Sequence, residues 1–194
     1  IEAFYADRGF PGVRVTNVDV KLNAKKDAVD VTLTLDDGQP VTVAAVDFRG
    51  FEVIPADRLV QMQAQMPLVV GMPRDRQSAV AARELAVNTL RDHGYPYARV
   101  RTQEDDGPAG TSATLVFTAE PGPLAHFGSV EIAGNNSVND RIIERQLSFK
   151  PGDLYRRSVV QESQRRLYQM ELFQFVNIES LDPEAQRPDV NTRV

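Results

Sequence analysis

"LRDHGYPYARV" (Leu90–Val100) has been written once already in this chain, as "YADRGFPGVRV" (Tyr5–Val15). Gly-aromatic-Pro-x-small-Arg-Val recurs with Gly9 facing Gly94, 85 residues on. Further along, Val29, Val31, Leu33 and Leu35 face Ala113, Leu115, Phe117 and Ala119, now 84 apart, and the register holds through Gly38/Gly122, Val46/Val130, Phe48/Ile132 and Gly50/Gly134. A slip of one residue inside a polar segment is what a loop deletion leaves. The chain is therefore an array of one module, and the repeat governs every other reading.

The repeat divides the 194 residues into a fragment (1–37), a whole unit (38–121) and a further unit (122–194) whose last strand is expected to be cut short. In the fragment, Ile1, Phe4 and Tyr5 recur at helical spacing and Gly9 stops the helix. Val13–Leu22 and Val29–Leu35 then alternate with period two, joined by "NAKKDA" (residues 23–28), which predicts a hairpin. The whole unit opens with a strand at Val41–Phe48 whose apolar parity changes midway, as it does again between Phe127 and Val130; a shared irregularity predicts a bulge or a late strand start. Pro55 opens a short helix with Leu59, Met62 and Met66 on one face. A longer helix, 76–93, carries Ala82, Leu85, Ala86, Leu90 and His93 on a stripe. Strands at Tyr97–Gln103 and Ser112–Glu120 follow, around "EDDGPAG" (residues 104–110).

The third unit repeats the plan. A strand at Leu124–Ala133 leads to a helix opened by Ser137 with Asp140 as an S-x-x-D box. After "FKPGD" (residues 149–153) a second helix carries Val160, Ser163, Leu167 and Met170. Strands at Phe173–Leu181 and from Asp189 onward close it. The fold class is thus α+β, made of tandem β-α-α-β-β modules. Each is a three-stranded mixed sheet with two helices on one face, which leaves the other face and at least one sheet edge open.

Net charge of −5 and a pI near 5.1 argue against a nucleic-acid partner, which would need a basic stripe. No apolar run approaches the ~18 residues of a membrane-spanning helix. Zero cysteines exclude disulfides and thiolate metal sites without fixing the compartment. His93 and His126, the only histidines, lie in separate units with no second ligand at metal-binding spacing, so His93 reads as a packing residue and no metal or cofactor is expected. The acidic runs Asp36-Asp37 and Glu104-Asp105-Asp106 sit in turn-like loops, where solvated charge outweighs an acid/base pair. No phosphate-cradling or nucleophile-elbow motif is present, and no enzyme activity is expected. Arg156, Arg157, Arg165 and Arg166 form the one basic patch. It reads as a solvated face balanced by Glu162 and Glu171, or as a contact to a partner or to lipid headgroups. The joints at Gly38–Pro40 and Pro121–Pro123 are short and proline-stiffened, which predicts a restricted hinge.

The stretch "FGSVEIAGNNSVNDRIIERQLSFKPGDLYRRSVVQESQRRLYQMELFQFVNIE" (Phe127–Glu179) resembles the POTRA (polypeptide-transport-associated) domain. Strand-Gly-Asn, short helix, "PGD", long helix and "LYxxxLFxxVxI" carry the likeness. The tandem arrangement is similar to that of the outer-membrane barrel assembly and translocation family (BamA/TamA-like). Glu171 departs from the glycine that Gly9 and Gly94 keep. The resemblance implies a periplasmic location and a membrane tether through a C-terminal barrel absent from this chain. It also implies partners among unfolded outer-membrane β-barrel proteins and accessory periplasmic proteins or lipoproteins. In this family the strand after the long helix lies at a sheet edge. That implies client-binding edges at Tyr97, Arg99, Val100 and Arg101, and at Phe175, Asn177, Ile178 and Glu179, working by β-strand addition. The rival readings are a two-partner secretion transporter and, in a different class, a cell-division scaffold of FtsQ type.

Overall fold

The computed structural model describes residues 1–194 apart from 24, 26, 108 and 109, so parts of the two expected loops at 23–28 and 104–110 lie outside the described residues. In order, the elements are α1 (Glu2–Asp7), β1 (Arg14–Leu22), β2 (Val29–Asp36), β3 (Thr42–Arg49), α2 (Ala56–Ala64), α3 (Arg76–Arg91), β4 (Arg99–Asp106), β5 (Ser112–Glu120), β6 (His126–Glu131), α4 (Asp140–Glu144), α5 (Arg157–Gln169), β7 (Glu179–Ser180) and β8 (Asp189–Arg193). They build three sheets, ordered β1-β2, β3-β5-β4 and β6-β8-β7. By packing, the chain divides into two compact units. One comprises Ile1–Phe48, Gln65–Glu84 and Thr102–Phe117, the other Arg49–Ala64, Leu85–Arg101 and Thr118–Val194.

In the first unit, β1 and β2 pair antiparallel with Val18↔Leu33, Val20↔Val31 and Leu22↔Val29 in register, so period-two alternation puts all six apolar side chains on one face. Val29 and Val31 are 52% and 58% exposed there, whereas Ala113 and Leu115, their counterparts in the repeat, are buried. Phe48 stacks on Phe117 with ring centroids 5.6 Å apart. In the second unit, β6 runs parallel to β8 and β7 antiparallel to it, the mixed sheet that a β-α-α-β-β path produces. The parity change in the first strand is a bulge: the register shifts between Phe127 and Val130, and the Asn191 side chain plugs it, its Oδ1 accepting the Ser129 amide at 2.9 Å. α4 and α5 cover one face, packing Ile143 and Leu167 against Phe127, Phe149 and Ile178. Ser163 lies on that buried stripe because its hydroxyl is satisfied twice, donating to Val159 O and accepting from the Ser148 amide, each at 2.8 Å.

Three local expectations are corrected. α4 begins later than the S-x-x-D box implies: Asn139, not Ser137, caps it, accepting the Arg141 amide at 3.0 Å. Tyr97 precedes its strand, which starts at Arg99 and extends to Asp106. The strand expected over 173–181 shrinks to Glu179–Ser180, because Glu179 already pairs with Arg193 and nothing in β8 stands opposite Phe175, Asn177 or Ile178.

Candidate functional site

Among the described residues, the sheet orders leave β4 and β7, the strands that follow the long helices, each with one neighbour only. Along β4, Arg99, Arg101 and Gln103 are exposed while Val100 is buried. Two of its side-chain charges are tied down: Arg101 pairs with Glu120 at 3.1 Å, and Glu104 with Arg74 at 2.6 Å. Edge recognition here would fall to the main chain. Of the residues expected on these rims, Arg99 and Arg101 lie on β4 and Glu179 on β7, whereas Val100 and Ile178 point into the cores. Phe175 and Asn177 line an open groove of about 310 Å³ instead, shared with Phe173, Val176, Ile143 and Leu167. Phe175 is 79% exposed, and Leu172 and Tyr168 are exposed as well.

The basic patch resolves into different environments. Arg165 and Arg166 both bond Glu162, at 3.7 and 2.9 Å, as a balanced helix face would; Glu171 takes no part. Arg156 is exposed, while Arg157 is half-buried. Sequence reasoning missed Arg157's neighbours, Arg91 and Tyr155. Burial and then the Arg157 charge hold the Arg91 guanidinium below its usual value, and burial pushes the Tyr155 phenol up. Of the two histidines, His93 bonds its Nδ1 to Thr89 O at 2.7 Å within its own helix. Among the described residues, no three His, Asp or Glu side chains gather to hold a metal ion, and no helix is long and apolar enough to cross a membrane.

The ends of the long helices carry a second repeated feature. In the first unit, Val41 N donates to Gly9 O (2.7 Å), Arg74 N to Val41 O (2.8 Å) and Val43 N to Met72 O (2.9 Å). In the second, Ala125 N donates to Gly94 O (2.8 Å), Tyr155 N to Ala125 O (3.0 Å) and Phe127 N to Asp153 O (2.8 Å). One docking scheme is thus used twice, and its first bond in each case needs the carbonyl of the glycine that ends the helix.

Residues 125–194 match the POTRA family model, described as a surface antigen variable number repeat. The chain is 24% identical over 187 residues to the outer membrane protein assembly factor BamA of Neisseria meningitidis serogroup B (strain ATCC BAA-335 / MC58), covering 96% of this chain and 23% of that protein. To BamA of Neorickettsia risticii (strain Illinois) it is 22% identical, covering 98% of this chain and 25% of the relative. It spans about a quarter of the length of these proteins. Among solved structures, Haemophilus influenzae BamA POTRA3-5 superposes with a TM-score of 0.70 at 20% identity, over 98% of this chain and 75% of that one. BamA from Haemophilus ducreyi lacking POTRA domains 1-3 gives 0.65 at 14% identity, over 79% and 28%. The chain as a whole is similar to outer membrane protein assembly factors and shares the fold of the BamA POTRA domains.

Proposed function

We propose that this chain is the periplasmic client- and partner-binding part of an outer-membrane β-barrel assembly factor, a scaffold that works without catalysis. It recognises unfolded barrel proteins by adding their extended segments to the open rims of β4 and β7. The reading divides the chain into the end of one POTRA domain (1–37), a complete one (38–121) and a further one (122–194). A barrel beyond this stretch tethers it to the outer membrane, and accessory periplasmic proteins or lipoproteins dock on it. The observation that carries the reading is the strand order, which puts β4 and β7 at sheet rims with main-chain donors and acceptors left to a partner. Beside β7, the groove under Phe175 gives an incoming strand a pocket for one large apolar side chain.

Amide hydrogen exchange tests it. Adding a urea-unfolded outer-membrane barrel protein to the folded chain is expected to slow the outward-facing amides of Arg99–Asp106, on alternate residues, by about tenfold or more. Client binding that leaves every β4 and β7 amide exchanging as before overturns strand addition. Prolines at Val100 or Ile178 are unsuitable probes, because both side chains are buried and the variants would report core damage.

A further inference from the structure

Arg91 closes α3 and Arg157 opens α5, and the fold brings these helix ends together: the Asp92 carboxylate accepts the Ser158 amide at 2.6 Å. Both arginines are half-buried, and the Nε of each is shut away from solvent with no acceptor among the described residues. Neither guanidinium makes an ion pair with a described carboxylate. Tyr155, near enough to both for their charges to act on its phenol, has its ring on Phe127 with centroids 5.1 Å apart and its hydroxyl donating to no described group.

The other copy of this joint shows what is unusual. There Arg76, the counterpart of Arg157, pairs with Asp7 at 3.4 Å, and Ala6 stands where Arg91 stands. One acid meets one base. In the second copy the equivalent acid, Asp92, is engaged by the Ser158 amide, and two bases stand beside it. Two like charges in partial burial cost free energy that a shared anion returns, and guanidinium forks match the flat, two-oxygen geometry of a carboxylate.

We propose that Arg91, Arg157 and Tyr155 form a receptor for one carboxylate, a glutamate or aspartate side chain presented by a protein partner. Both guanidiniums donate to the carboxylate oxygens and the Tyr155 hydroxyl supplies a further donor. A single acidic side chain suits the site better than a membrane surface, since a chain of net charge −5 is repelled by an anionic bilayer. The receptor does not rest on strand addition: failure of the exchange experiment leaves it standing, and its own failure leaves the rims untouched.

The side-chain Nε–Hε signals of Arg91 and Arg157 in the 194-residue protein, assigned through R91K and R157K, report occupancy. The probes are acetyl-Gly-Glu-Gly-amide, its Gln counterpart, inorganic phosphate, and vesicles of phosphatidylcholine with phosphatidylglycerol, all at matched ionic strength. The Glu peptide is expected to shift both signals saturably, with the Gln peptide about fivefold or more weaker. R157Q should abolish the response at Arg91, and Y155F should weaken it about threefold while the backbone spectrum stays native. Should R157Q unfold, Y155F and the peptide comparison carry the same decision. Equal responses to the Glu and Gln peptides overturn the proposal. So does a response to phosphate or vesicles without one to the Glu peptide, which would reassign the arginines to a free anion or a lipid headgroup.

Discussion

At Gly94 the backbone sits at φ +94°, and a Cβ added there would lie 2.6 Å from Leu124 Cδ1 and 2.8 Å from Leu154 Cδ1. The dihedral demands glycine and the two leucine methyls would have to move aside, so Gly94→Ala should destabilise by about 2 kcal/mol, read as a lower urea midpoint with unchanged slope. A midpoint equal to wild type would mean the helix end can shift freely. Tyr155 gives a pH prediction. Its folded pKa lies above the ordinary 10.0 because burial penalises the phenolate. The folded state therefore holds this proton more tightly than the unfolded chain. The stability that follows is fully present below pH 10 and is lost as pH rises through the folded value. Burial raises the Tyr97 phenol as well, so ultraviolet titration of wild type should show a late-ionising component that Y155F reduces without abolishing; a late component unchanged in Y155F contradicts this.

Among the elements, α5 has an unusual start. Asp75 caps α3 locally, its Oδ1 accepting the Gln77 amide at 2.8 Å, but the matching position in α5 is Arg156, whose side chain makes no cap. Asp92, at the end of α3, supplies the cap instead. Asp92→Ala should cost about 1 kcal/mol and raise exchange in the first turn of α5 selectively; exchange unaltered there would show that the bond is dispensable. The repeat made most elements legible, since period-two and helical stripes in two copies check each other: the Phe127–Val130 bulge was readable because Val41–Phe48 shares its change of apolar parity. What stayed hidden depends on partners distant in sequence. Nothing local in "FQFVNI" (Phe173–Ile178) says that strand pairing begins only at Glu179. The pairing of Arg91 with Arg157 was likewise invisible, although the Asp7–Arg76 contact, shifted by one repeat, points at the spot.

For the molecule as a whole, surface chemistry decides behaviour in solution. The aligned Val18, Val20, Leu22, Val29 and Val31 make a continuous exposed apolar strip on β1 and β2. A net charge of −5 keeps copies apart at neutral pH, and that repulsion vanishes near the pI of about 5.1. Self-association in sedimentation velocity should therefore rise toward pH 5 and fall in a V20K/V31K variant; equal association in that variant would locate the sticky surface elsewhere.

The bond from the glycine carbonyl to the following strand, made at Gly9 and again at Gly94, has a consequence for how such chains grow. In each case the carbonyl that closes a helix in one copy is bonded by the strand that opens the next. Such a head-to-tail grammar has no built-in stop, so duplicating a gene segment lengthens the product by one working link. A spliced chain with an extra link inserted at 38–121 should accept it, with the new junction inheriting its bonds ready-made.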